Sequence, residues 1–428
     1  MNAAVAIVAF LVVYALLISE RVERVVAAAL GAALVIGLGV VGTQDAFFSE
    51  ETGIDWNVIV LLFSMMVIVG GLRRTGVFDF VAISLAKRAR GRPFRLVVML
   101  TTLTAVSAIF LSDVTVVVLL APVTLLVAER LSLAAVPLLI AEVMAANIGG
   151  SASLVGDPAD IIVGTRAGLT FTDFLTHQLP MSVVAFAVFL VVARVLFRKD
   201  LVAVPGAAEA VALLDEREAI RDVQLLRRGL GVLGLVVVGF VAQPVTGVEP
   251  AAIALLGAGL MWIVTKDDRP ELLDHVEWET LAFLMGLFVV VGALVKAGVI
   301  DHLTELVSSA IGSDPTTAVI GVLLGSAGIS ALVDNIPYVA TMTPVIADIT
   351  AGDPSLNPDG ALWYALAMGA VLGGNATAIG ASANVVVIGI ARRNGHPISF
   401  WTFTRYGSVV AVTTLLAVVP LFWLRYLA

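Results

Sequence analysis

The sequence predicts an all-α polytopic membrane protein built as an inverted-topology repeat. Three observations carry that expectation. Of its 428 residues 60% are hydrophobic and 14% charged, and the mean hydropathy is +1.04, a balance no soluble domain has. A long apolar unit occurs twice: the windows 55–79 and 277–301 align without a gap and share nine identities, from Trp56/Trp278 to Asp79/Asp301. The basic residues are sorted to one side of the spans that these windows define.

A span needs about 20 apolar residues. Such stretches lie at 3–19, 24–42, 56–75, 133–165, 180–197, 229–244, 250–265, 278–296, 361–391 and 404–426. The first, Ala3 to Ile18, lacks a basic leader and a small-residue cleavage site, so it reads as a helix and not a signal peptide. Two more apolar stretches, 95–129 and 316–349, are interrupted by polar residues and read as re-entrant hairpins. With both termini outside, 22 of the 25 Lys and Arg residues, Arg24 among them, fall inside, leaving Arg166, Lys296 and Arg425 outside. A full span in place of either hairpin spoils that distribution. All six tryptophans fall near span ends, where interfacial anchors belong.

The first repeat then covers 1–197, with hairpin 95–129 and broken helix 133–165. The second covers 229–428, with hairpin 316–349 and broken helix 361–391. Between them, 198–228 is a charged cytoplasmic linker, a tether whose Glu209 to Leu226 stretch has the pattern of an amphipathic surface helix. Arg73, Arg74 and Lys296 at the ends of the repeated span read as snorkelling cations.

Polar residues at membrane depth need a reason. There are four such breaks, two per half. The first, Ser112-Asp113-Val114-Thr115, turns hairpin one, and Ser112 or Asp113 can cap the second limb. The second runs from Asn147 to Asp160; its glycines, Gly156 included, loosen a helix that Asp157-Pro158 restarts as an N-cap and N1 pair. The third, Asp334-Asn335-Ile336-Pro337, turns hairpin two. The fourth runs from Gly373 through Asn375, Thr377 and Ser382 to Asn384. Inverted repeats place substrate and ion sites where discontinuous helices meet near the midplane, with unwound carbonyls facing cations.

These motifs resemble the ArsB/NhaD permease group of the ion-transporter superfamily, which includes the melanosomal P protein and citrate-transporter-like permeases. The resemblance covers nearly the whole chain. It implies a scaffold and a mobile unit carrying substrate on hairpins and broken helices, an elevator-type architecture, and a homodimer. The second-half motifs follow the family pattern without change. In the first half two asparagines of the pattern are Asp113 and Asp160, while their counterparts remain Asn335 and Asn384. Asp113 and Asp160, with Asp157, make a candidate H⁺ or Na⁺ site, because buried carboxylates in one place bind a cation or share protons. Alternatively a cap, or a basic partner such as Arg166, holds Asp113 or Asp160.

The ion- and substrate-binding candidates are therefore Ser112, Asp113, Thr115, Asn147, Gly156, Asp157, Asp160, Asp334, Asn335, Asn375, Thr377, Ser382 and Asn384. Glu142 is a candidate for proton transfer or for a structural hydrogen bond. With no cysteine, thiolate metal sites and disulfides are excluded. The four histidines are scattered, no Walker lysine motif occurs, and Gly37-Leu-Gly39-Val-Val-Gly42 lies in a helix with no strand before it. No enzyme constellation, cofactor or nucleic-acid partner is expected. The expected partners are the lipid bilayer and a small inorganic or organic ion.

The expected function is secondary active ion transport in the cytoplasmic membrane, coupled to H⁺ or Na⁺, with cation/proton antiport favoured by the acidic first half. Arsenite or antimonite efflux, which would admit a separate soluble ATPase, and symport of di- or tricarboxylates are the alternatives.

Overall fold

The structure, a computed structural model, describes residues 2–19, 22–49, 51–200, 216–265 and 272–428. Among these residues every regular element is helical. In chain order they are α1 (Asn2–Ser19), α2 (Arg24–Gly37), α3 (Thr43–Phe48), α4 (Trp56–Arg74), α5 (Val77–Ala89), α6 (Pro93–Ala108), α7 (Asp113–Arg130), α8 (Ala135–Gly150), α9 (Pro158–Ala167), α10 (Phe171–His177) and α11 (Leu179–Leu196). There follow α12 (Val223–Thr246), α13 (Pro250–Val264), α14 (Trp278–Lys296), α15 (Val299–Ile311), α16 (Pro315–Ser330), α17 (Asn335–Gly352), α18 (Ala361–Gly374), α19 (Ser382–Arg393) and α20 (Phe400–Tyr426).

Four successive helices, starting within each repeated window, match in length. α4 and α14 each hold 19 residues, α5 and α15 each 13, α6 and α16 each 16, and α7 and α17 each 18. Prolines start α6 and α16 at their first position, where no intrahelical donor is lost. Gly76 and Gly298 precede α5 and α15 with φ of 76° and 69°, a left-handed turn that a side chain would strain. α2 packs on α14 as α13 packs on α4.

The two equivalent helices α4 and α14 run antiparallel. Gly70, near the end of α4, lies against Leu272 and His275, which lead into α14. Gly292, near the end of α14, lies so close to Thr52, which leads into α4, that a Cβ would stand 1.8 Å from the Thr52 carbonyl oxygen. Each helix thus ends where the chain enters the other.

Both long apolar segments with internal motifs are broken as expected. α8 gives way to α9 across residues 151–157, and α18 to α19 across 375–381. α18 is buried along its whole length and α8 nearly so, which makes them the centre of the molecule. Small residues permit this closeness: a Cβ on Gly149 would stand 2.3 Å from the Ala105 carbonyl oxygen, and one on Gly373 2.2 Å from that of Ala327.

The structure corrects several boundaries. α2 ends at Gly37, five residues short of the expected span, and at about 21 Å is shorter than a bilayer core. α12 starts at Val223, six residues earlier than expected, because the Asp222 carboxylate accepts from the N–H groups of Gln224 and Leu225 at 2.8 and 2.9 Å. Among the described residues five helices, α4, α11, α12, α14 and α20, are each long and apolar enough to cross a membrane. The expected surface helix at 209–226 is absent as a separate element in its described part: residues 223–226 open α12, and no α-helix covers 216–222. Glu216–Ala219 is a 3₁₀ turn docked on the first half, where Glu216 pairs with Lys87 and the Arg221 N–H donates to the Thr75 carbonyl. Residues 209–215 lie outside the described residues. Lys296 pairs with Asp45.

Candidate functional site

Each hairpin tip is tied to the broken helix of its own half by equivalent bonds. The Asp113 N–H donates to the Gly156 carbonyl at 3.0 Å, and the Asn335 N–H to the Gly380 carbonyl at 3.1 Å. The Ser153 hydroxyl donates to the Ile109 carbonyl, and the Thr377 hydroxyl to the Ala331 carbonyl. Gly156 and Gly380 permit the contact, since a Cβ on either would fall within 2.7 Å of the backbone of Gly150 or Gly374. Tip and break therefore form one unit in each half, and Gly156 and Thr377 serve as joints in it.

In the first half Ser112 is the cap of α7, its hydroxyl accepting from the Thr115 N–H at 3.3 Å. Asp113 and Asp157 each accept one local backbone N–H, from Val114 and Ala159, both at 2.8 Å. Asp160, one turn further along α9, is fully buried and neither of its oxygens has a hydrogen-bond partner. The three carboxylates lie within electrostatic reach of one another. Among the described residues no ion pair compensates them. Among the described residues no ion pair joins Arg166 to Asp113 or Asp160, and its charge acts on Asp55 at the start of α4. No three His, Cys, Asp or Glu side chains converge as a metal set among the described residues, so a cation here would draw on backbone carbonyls as well.

In the second half Asn384 stands where Asp160 stands in the first. Its amide donates to the carbonyls of Gly374 and Thr377, both at 2.9 Å, closing the break. Asp334 caps α17 through the Ile336 N–H at 3.1 Å, while its other oxygen accepts from Ser382 at 2.8 Å.

The halves meet through asparagines. Asn147 donates to the side-chain oxygens of Asn375 at 3.0 Å and Asn384 at 3.2 Å, and Asn335 donates to Asp157 at 2.9 Å. The Asn147 oxygen and the Asn375 amide nitrogen remain buried without partners. Glu142 stands apart from this cluster. It is buried beside Thr124 of α7, without a hydrogen bond to either oxygen by distance and angle, and the three aspartates are not among its electrostatic neighbours.

Two residues that sequence reasoning did not place here belong to the site. The Arg24 guanidinium reaches Asp334 at 2.7 Å and Ser382 at 2.6 Å. Glu277 accepts from Thr115 at the tip of hairpin one at 3.2 Å, and from Thr280 at 3.1 Å. The signal for Glu277 lay in the repeat. Its counterpart Asp55 caps α4 by accepting from Asn57 and Val58, whereas the longer Glu277 makes no cap and turns to the hairpin. Arg24 counted only as one more inside charge. Both line a cavity of about 670 Å³ between α2, α4 and α14 on one side and α7 and α19 on the other. Glu23, Asp274 and Glu279 share its wall with Arg73 and His275.

Comparisons with known proteins give the family. Residues 14–369 match the model of the CitMHS family, described as citrate transporter. The chain is 49% identical over 425 residues to an uncharacterized transporter of Mycobacterium tuberculosis, covering 99% of this chain and 98% of the other. It is 33% identical over 483 residues to the human P protein, covering 94% of this chain and 57% of that one. Among solved structures the YdaH transporter of Alcanivorax borkumensis matches with a TM-score of 0.59 at 16% identity, covering 94% of this chain and 87% of the other, which speaks for the fold alone. This multi-pass membrane protein therefore belongs to the CitMHS citrate transporter family.

Proposed function

We infer that this transporter exchanges a monovalent cation, Na⁺ in the first instance, for protons across the cytoplasmic membrane by alternating access. The observation that carries the reading is Asp160. In the second half an amide donates to two carbonyls of the break; in the first half the equivalent residue is a carboxylate that cannot donate to the matching carbonyls of Gly150 and Ser153 unless protonated. A carboxylate facing unwound carbonyls in a buried place is satisfied by a proton or by a hard cation, and competition between the two is what an exchanger needs. Asp113 and Asp157 add charge of the same sign, and the acidic side chains of the cavity wall favour a cation on its way in.

The antiparallel course of α4 and α14 supports an inverted repeat, and the sorting of basic residues supports both termini outside. The grouping of tips and breaks into units, packed against α4 through α9, against α14 through α17 and tied to α2 through Arg24, supports an elevator-like movement. On this topology the large cavity opens to the cytoplasm. Glu142 is then a staging point for protons away from the cation.

A second reading, symport of a di- or tricarboxylate, is favoured by Arg24, which a carboxylate could engage, and by the family description. Purified protein in liposomes with an acidic interior and an internal pH dye tests both readings, with external Na⁺, K⁺, citrate and arsenite added in turn. Antiport predicts internal alkalinisation on adding Na⁺ or K⁺ alone. A pH response to citrate, with none to the cations alone, would replace it with the second reading.

A further inference from the structure

The acidic tip of the second hairpin is already engaged by a cation of the protein's own. One terminal nitrogen of Arg24 bonds both Asp334 Oδ2 and Ser382 Oγ, and Ser382 donates to the same Oδ2. The other Asp334 oxygen accepts the Ile336 N–H. Both Asp334 oxygens and the Ser382 hydroxyl are thus engaged, and a free cation arriving at Oδ2 competes with the guanidinium already there. Arg24 is placed for such displacement: it lines the large cavity with its side chain 31% exposed, against 9% for Asp334.

The guanidinium also joins two packing units. α2 is fixed on α14, where Gly31 lies against Val290 and Gly286 against Ala28. Asp334 and Ser382 sit on the hairpin tip and the broken helix, which the Asn335–Gly380 bond holds together. The repeat shows that this tie is particular to one half. α13 is the counterpart of α2, and its N-cap Glu249 has φ −58° and ψ 139°, matching −58° and 138° at Glu23. The residue after Glu23 is Arg24; the residue after Glu249 is Pro250, which has no charge to offer. The first half has the Thr115–Glu277 hydrogen bond instead, whose donor is a neutral hydroxyl.

We propose that Arg24 is an internal stand-in for the transported cation, neutralising Asp334 and docking the second hairpin on α2 until an incoming cation displaces it. The proposal rests on the cation-exchange reading and deepens it by naming the residue that links occupancy of the site to release of the moving unit. Release requires only that the cation bind the undocked arrangement more tightly than the docked one.

The test uses the full chain in liposomes with Arg24→Gln and Arg24→Lys. Removing the competitor lowers the KM for Na⁺ by about fivefold or more, and lysine restores it toward the parent value. Because the chain has no cysteine, Val118→Cys on the cavity wall supplies a single reporter for a membrane-impermeant maleimide. Undocking lets the tip leave this cavity-open arrangement, so labelling is slower with Arg24→Gln than in the Val118→Cys parent, and lysine rescues it. An unchanged Na⁺ KM together with unchanged labelling overturns the proposal, as does a rise in the KM for citrate with Arg24→Gln, which would make Arg24 an anion ligand. The labelling arm needs no substrate. Should the parent show no cation flux, the exchange reading falls while the docking role is still judged: slowed labelling upholds it, and unchanged labelling overturns it.

Discussion

Asp160 and Asn384 occupy equivalent positions at the restart of the two broken helices, and their bonding is opposite. Asn384 spends its amide hydrogens on the carbonyls of Gly374 and Thr377, whereas both oxygens of Asp160 are buried without a donor. One half is closed by an amide of the protein; the proposed exchange has a positive charge from outside satisfy the other, which would give the two halves different roles although their helices match in length and order.

Converting the second half to the chemistry of the first should transfer the requirement. Asn384→Asp sets a carboxylate against two carbonyls and also removes the amide closing the break, so stability falls by about 1–3 kcal/mol for the groups left unsatisfied. Melting followed in detergent with NaCl or choline chloride checks this. Part of the loss returns in NaCl and not in choline, since a ligand that binds only the folded form stabilises it. Equal melting in the two salts would count against the comparison of the halves.

Gly149 and Gly373 hold α8 on α6 and α18 on α16 at backbone distance. An alanine at either must push a rigid carbonyl aside, because the nearest atoms belong to Ala105 or Ala327 main chain. Gly149→Ala and Gly373→Ala are each expected to destabilise by about 1–3 kcal/mol. Gly231→Ala, with nothing within 4 Å of the added carbon, is the control and should melt no lower than the parent.

Asn335 couples the second hairpin to Asp157 of the first half. Asn335→Leu keeps the volume and deletes the donor, leaving a buried carboxylate oxygen without its bond. Transport is expected to fall at least about tenfold, the equivalent of roughly 1.4 kcal/mol. Wild-type flux at equal protein content would remove Asn335 from the site.

Outside the spans, His177 stacks on Tyr364 with ring centres 4.6 Å apart, and its Nδ1 meets the Tyr426 hydroxyl at 2.8 Å. Burial, with Arg425 nearby, holds its pKa below the ordinary histidine value. The unfolded chain then binds the proton more readily, so this contribution to stability is complete above about pH 6.5 and is lost as pH falls through the lowered folded value. Hydrogen-exchange protection of residues 171–177, taken relative to the intrinsic exchange rate at each pH, should fall between about pH 7 and pH 5. His177→Phe, which keeps the stack and removes the titration, should flatten that dependence.

The hairpins and breaks were legible because they are written in local chemistry: a cap residue, a proline in the first turn, paired glycines. Ser112, Asp157 and Asp334 cap the helices that those signals predicted. The cross-half contacts were not legible. That Asn147 would reach Asn375 and Asn384, or Asn335 reach Asp157, depends on how two repeats pack, which no local pattern encodes. Arg24 was hidden by its own plausibility, since a basic residue at the inner end of a span is ordinary under the charge rule. α5 and α15 were missed for a related reason. They follow the repeated spans after a single left-handed glycine, so the apolar pattern runs on and the change of direction lies in one φ angle.

The central claim is that Asp160 receives the coupling ion. Asp160→Asn in liposomes loaded with a pH dye and challenged with a Na⁺ gradient tests it most directly. The amide can close the first break as Asn384 closes the second, so the variant should fold at least as well as the parent, while Na⁺-driven alkalinisation falls at least about tenfold. Alkalinisation at the parent rate, with the same dependence on Na⁺ and pH, would contradict the account.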